Sequence, residues 1–128
     1  MKTRRFSVLG FLFTLLVSFS YSSSALAQDA AIVDSAHYKV VLENDQVRVL
    51  RINYGPGEKS VMHSHPAGVV VFMTDGEGKF TFPDGKTQDQ KFTAGTVIWT
   101  PESTHQPENT GKKPFEVIQI EMKNMEDD

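Results

Sequence analysis

Two of the chain's four histidines, His63 and His65, stand one residue apart in the stretch HSHPAGVVVFMTDG. On an extended segment, side chains at i and i+2 leave the same face, roughly 6–7 Å apart at the backbone. Two imidazoles so placed can converge on one ion at about 2.1 Å each. The pair alone equally fits a surface strand or two hydrogen-bonded core histidines. Other residues nearby have reactive or charged side chains. Glu102 lies in a Pro-Glu-Ser turn just before His105, where a carboxylate would serve as a late ligand or an acid–base group, unless it is simply solvated. Arg48 and Arg51 fall on opposite faces of an alternating run. Whichever points inward would pair with an anionic substrate, and an outward arginine would only meet solvent. Tyr54, beside a Gly-Pro-Gly turn, is a hydrogen-bond donor or a packing residue, and His37 stands apart from the other three histidines. The chain has no cysteine, which excludes thiol nucleophiles, zinc–thiolate sites and iron–sulfur clusters.

The elements that must position these residues read as short strands cut by turns, the pattern of an all-β sandwich or barrel. HYKVVL (37–42), VRVLRINY (47–54), EKSVMHSH (58–65), VVVFMT (69–74), KFTF (79–82), TQDQKF (87–92), TVIWT (96–100) and FEVIQIEM (115–122) are the candidate strands. DGEG, the PDG hairpin signal, AG, the PEST loop and NTGKKP separate them. No amphipathic helix of useful length stands out after the leader. Closing so many short strands into a barrel removes most of their exposed edges. A barrel would also give inward histidines a shielded cavity. Met62, Phe72, Met73, Phe80, Phe82, Trp99 and Phe115 are core candidates, with some of them free to form an outer-face patch instead.

The first 27 residues stand outside that domain. A basic MKTRR, an uncharged apolar FSVLGFLFTLLVSFS and an Ala25-Leu26-Ala27 site follow in the order of a secretory signal peptide. The expected division is a signal peptide (1–27), a flexible mature N-terminus (28–36), a β-barrel domain (37–123) and an acidic tail (124–128). The expected location is the periplasm or the cell exterior. Losing Lys2, Arg4 and Arg5, with no acid in the leader, takes the net charge from −3 to −6. An acidic domain has no electrostatic reason to bind nucleic acid or an anionic membrane.

The order of glycines and histidines carries a resemblance. Gly57, His63, His65 and Gly76 match the first cupin motif, and Gly95, Pro101, His105 and Asn109 match the second. Ser103 stands where a glycine is usual, and the proline-to-histidine gap is one residue short. Over residues 37–123 the chain resembles small single-domain conserved-barrel bacterial cupins. The resemblance implies a double-stranded β-helix, or jelly-roll, barrel. It makes His63, His65 and His105 metal ligands and gives Asn109 the task of fixing the turn beyond them. One departure matters. The motif's glutamate falls at Val69 or Val70, and neither can bind a metal.

Three neutral imidazoles would leave a divalent ion its full charge and open positions, a site that favours an anionic, oxygen-donating ligand. Three-His cupin sites resemble those of the β-diketone-cleaving, gentisate-type and thiol dioxygenases. The expectation is therefore an exported metal-binding cupin with Fe(II) favoured and Mn, Ni, Zn or Cu also suited to imidazole. It would act on a small anionic oxygen-rich molecule, dioxygenase-like chemistry first and lyase or isomerase next. Glu102 and Arg51 are its catalytic candidates, and a homodimer its assembly. The alternative is a non-catalytic module that holds a metal or small ligand.

Overall fold

A computed structural model describes residues 28–123. The expected signal peptide and acidic tail lie outside the described residues. Nine strands follow a single helical turn: α1 (Ala30–Val33), β1 (Tyr38–Glu43), β2 (Val47–Tyr54), β3 (His63–His65), β4 (Gly68–Phe72), β5 (Gly76–Thr81), β6 (Thr87–Phe92), β7 (Val97–Thr100), β8 (Ser103–Asn109) and β9 (Phe115–Met122). They form two antiparallel sheets, a five-stranded β1-β2-β9-β4-β7 and a four-stranded β3-β8-β5-β6. This is the all-β, cupin-type double-stranded β-helix expected. Among the described residues no helix is long and apolar enough to cross a membrane.

Period-two alternation decides which side chains enter the interior. Along β2, Leu50, Ile52 and Tyr54 are buried, while Arg51 and Asn53 between them are exposed. Along β9, Phe115, Val117, Gln119 and Glu121 are buried. With Tyr38, Val70 and Phe92 these side chains make the core between the sheets. Aromatic contacts knit it together: Phe72 stacks on Phe92 at 4.7 Å, and Tyr54 on Phe115 at 5.3 Å.

Several local expectations need correction. DGEG is not wholly a turn, because β5 already begins at Gly76. A Cβ on Gly76 would lie 2.9 Å from the Cβ of Phe115 and 3.1 Å from the ring of Phe92, so the strand can pass there only as glycine. The PEST loop is shorter than expected, since β8 starts at Ser103 and carries His105 on a strand. Residues 28–36 are not a loose lead-in. Asp29 caps α1 through the Ala31 amide, Ala30 is fully buried, and the Ser64 amide donates to the Gln28 carbonyl. A one-turn helix is too short to show periodicity in the sequence.

The outer face of the large sheet is apolar. The register sets Leu42, Val49, Ile120, Val69 and Trp99 side by side across all five strands. Leu42 and Trp99 are about half exposed. Trp99 and Met73 therefore belong to the surface, and Phe115 to the core.

Candidate metal centre and cavity

The three histidines meet because β3 and β8 are neighbours. His63 pairs directly with His105 in the antiparallel register, and His65 follows two residues on, on the same face. Their rings lie 4.8–5.4 Å apart, centre to centre. One nitrogen from each falls in a group whose atoms all lie within 4.8 Å of one another. His63 and His65 are almost completely buried.

Their hydrogen bonds define what the free nitrogens can do. Nδ1 of His63 lies 2.9 Å from the Val61 carbonyl and 3.1 Å from Ser60 Oγ. Nδ1 of His65 donates to Glu121 Oε1 at 2.8 Å. With the proton held at Nδ1, the lone pair of each ring sits on Nε2. Both Nε2 atoms are buried without a hydrogen-bond partner. Two orphaned acceptors beside a third imidazole fit a divalent cation, which would satisfy all three at once. Burial drives the pKa of His63 down to about 4 and that of His105 to about 3, and the neighbouring imidazoles push in the same direction. Both are therefore neutral at pH 7, the state that binds metal.

Glu121 is the carboxylate that the first motif lacks, and it acts one step back from the ion. It is 1% exposed, and Arg48 holds its second oxygen with Nε at 2.7 Å. Arg48 in turn grips both oxygens of Asp29 at 2.6 and 2.9 Å. The chain Asp29–Arg48–Glu121–His65 thus runs from the first described turn to a metal ligand. Arg48 keeps Asp29 ionised, lowering its pKa chiefly through the hydrogen bond. This arginine lies on the inward face of β2, but its guanidinium is committed to the two carboxylates and not to the cavity.

The catalytic candidates are placed elsewhere. Arg51 points outward, 54% exposed, with Glu116 at 3.5 Å, so the expectation that it faces a substrate is corrected by the alternation of β2. Glu102 is exposed and borders a shallow depression with Asp29, Arg48, Ser64, His65 and Pro66, not the main cavity. His37 is more deeply engaged than a surface residue: it stacks on Tyr54 at 4.3 Å and bonds Asp34 at 2.8 Å and Glu58 at 2.9 Å. Asn109 is fully buried and saturated, donating to the Tyr54 and Lys113 carbonyls and accepting from the Gly111 amide. It fixes the turn after β8.

Two of the three imidazoles, His65 and His105, face a cavity of about 340 Å³ between the sheets. His65 and His105 contribute to its wall beside Tyr38, Tyr54, Gln119 and a group of phenylalanines. Among the described residues no Asp, Glu, Lys or Arg lines it. The Tyr54 hydroxyl donates to that of Tyr38 at 2.8 Å. Burial raises both phenols well above their ordinary pKa, so both stay protonated. Sequence reasoning missed Glu121 and Gln119. Their signal was present in FEVIQIEM, where alternation sets a Gln and a Glu on the same face as Phe115 and Val117.

The cupin domain model matches residues 50–121. Among solved structures, a cupin domain from Bordetella pertussis is 30% identical, with 67% of this chain and 91% of that one covered and a TM-score of 0.63. A conserved protein with a double-stranded β-helix domain from Klebsiella pneumoniae is 24% identical, covers 69% of this chain and 76% of its own, and has a TM-score of 0.56. A cupin superfamily protein from Desulfitobacterium hafniense shares the fold at 18% identity, with 68% and 76% covered and a TM-score of 0.51. No protein with a curated description matches the chain. The two matching motifs, the two-sheet barrel and the inward histidine group have one common reading: this chain belongs to the cupin family.

Proposed function

We propose that the protein is a metal-dependent cupin enzyme in which His63, His65 and His105 hold a divalent ion, Fe(II) before Mn, Ni, Zn or Cu. The observation that carries the reading is the three-imidazole group beside a cavity with no charged lining residue among those described. Bound there, a divalent ion would supply Lewis acidity and, as Fe(II), redox chemistry with O2. The chain's own residues hold the ion, exclude water with phenylalanine walls and leave its charge for an anionic ligand. That ligand is a small molecule whose oxygens face the centre and whose body is apolar.

The same cavity ranks the reaction classes. Lyase and isomerase chemistry needs a general base within hydrogen-bond reach of the substrate. Beside the two imidazoles assigned to the ion, the cavity's polar side chains are amides, hydroxyls and two phenols that stay protonated. Chemistry that runs through the metal and O2 needs no such base, so dioxygenase-like turnover comes first. A non-catalytic binding module is the second reading, favoured by that same shortage of acid–base groups. Fe(II)-loaded protein, given β-diketones and hydroxylated aromatic acids in an oxygen electrode, is expected to consume O2 in proportion to product. Ligand binding without O2 uptake would establish the binding module instead.

We assign the apolar outer face of the large sheet to pairing with a second copy of the chain. The row from Leu42 to Trp99 spans five strands and ends on an exposed tryptophan. Trp99→Lys is expected to halve the mass seen by sedimentation at micromolar concentration. A wild-type chain that sediments as a monomer would overturn this assignment.

A further inference from the structure

Gln119 has an unusual position for a polar side chain. It is 7% exposed, and among the described residues its amide makes no hydrogen bond. Its two cross-strand neighbours are Leu50 on β2 and Val70 on β4, both inward-facing and without a polar side-chain atom to offer. The next inward residue of β9, Glu121, is already committed to His65 and Arg48. Gln119 nevertheless lines the cavity that His65 and His105 face. A primary amide has two donors and an acceptor, and here they open onto the cavity with no partner from the protein. An apolar residue would fill this place on the core face of β9 without presenting donors and an acceptor to the cavity. The amide is therefore best understood through what enters the cavity.

We infer that Gln119 is the specificity-determining residue of the pocket and reads the oxygen end of the bound molecule. Its NH2 donates to a ligand oxygen that carries negative charge, and its carbonyl accepts from a hydroxyl or a water on the same molecule. The inference rests on the reading of the three imidazoles as a metal centre. It narrows the ligand class to flat, largely apolar molecules with two adjacent oxygens sharing one negative charge. Such an anion offsets part of the ion's charge, which three neutral imidazoles leave whole. The aromatic walls of Phe72, Phe80, Phe82, Phe92 and Phe115 accept a flat body. With no cation lining the cavity, an anion finds its positive charge only at the centre, and Gln119 is the one buried amide among the donors on the wall.

The test uses tropolone, a flat conjugated ring with two adjacent oxygens, and Co(II), whose visible spectrum reports both metal uptake and chelation. Wild type, Gln119→Leu and Gln119→Glu are loaded with Co(II) and titrated with tropolone. Their metal content and melting temperature are measured alongside. Gln119→Leu keeps the volume and leaves no orphaned polar atom, so it is expected to fold and load Co(II) as wild type does. Its tropolone affinity is expected to fall about 10- to 100-fold, the effect of losing one hydrogen bond to a charged oxygen. Gln119→Glu is expected to hold Co(II) more tightly and to bind tropolone more weakly still, because its charge repels the anion. A structural role alone would not order the three proteins in this way. Equal tropolone affinity in wild type and Gln119→Leu overturns the inference. Wild type that loads Co(II) and ignores tropolone also overturns it, while the three-His centre stands. Wild type that takes up no Co(II) removes the metal reading and this inference with it.

Discussion

Replacing His105 by alanine is expected to empty the centre. The ligand set has three members, drawn from two strands, and no fourth protein donor among the described residues replaces a lost imidazole. Outer partners such as Glu121 typically change metal affinity roughly 10- to 100-fold, and loss of a ligand itself should exceed that range. His105 is the cleanest position, because its side chain makes no hydrogen bond within the described residues and its removal orphans nothing. His63→Ala and His65→Ala should empty the site equally, with an added cost in stability. Without His65, Glu121 loses one of its two partners. The measurement is metal content after dialysis against Fe(II), Mn or Zn, with folding checked by circular dichroism. Arg51→Ala and Glu102→Ala serve as controls that keep their metal, since Arg51 points outward and Glu102 stands outside the three-imidazole group. Metal content unchanged in all three histidine variants would refute the centre.

The metal-free protein is expected to lose stability as the pH falls from about 6.5 toward 4. The sign follows from which state binds protons. In the unfolded chain an imidazole titrates near its ordinary pKa, about 6.5. In the folded chain burial holds His63 down to about 4 and His105 to about 3. Between those values the unfolded state takes up protons that the folded state refuses, so acid pulls the equilibrium toward unfolding. Each imidazole contributes about 1.4 kcal/mol per pH unit over that window, several kcal/mol for the two together. Asp29 acts in the same direction but lower, because its depressed pKa matters only as the pH drops through the carboxylate range. Urea melts at pH 7, 6 and 5 check the expectation, and His105→Ala should flatten the slope. A midpoint that does not move between pH 7 and 5 would show that the imidazoles are not held neutral. Added divalent metal should raise the midpoint at pH 7 and steepen its fall with acid, since protons and metal compete for the same nitrogens.

Much of this was legible before any coordinates. VRVLRINY and FEVIQIEM coincide with β2 and β9, because alternation is a direct image of a half-buried strand, and TQDQKF coincides with β6 as the polar return of the PDG hairpin. The spacing of His63, His65 and His105 within two ordered motifs gave the ligand group. β1 was harder: HYKVVL looks like core, yet Val40, Val41 and Leu42 are exposed on an edge strand with a bulge. Edge strands are apolar for reasons a single sequence does not separate from burial. Arg51 was a candidate for an inward face, and the alternation of β2 turns it outward; Glu102 was chosen for its place just before His105 and borders a separate depression. The residues that complete the site come from β9, far off in sequence: Glu121 lies 56 residues from the histidine it supports. That pairing depends on β9 lying between β2 and β4, which is a property of topology and not of local pattern.

The Asp29 contact also matters for how the protein is produced. A version begun at Ala30 would retain every strand and every imidazole, and by sequence comparison it would look intact. It would lack the carboxylate that occupies the far side of the Arg48 guanidinium. The freed arginine could then draw Glu121 away from the His65 ring, and the nitrogen that donates to metal would become less basic. The choice of start point in such a truncated form thus sets how strongly the centre holds its ion, and a weakly metallated preparation would reflect a missing side chain well outside the binding pocket.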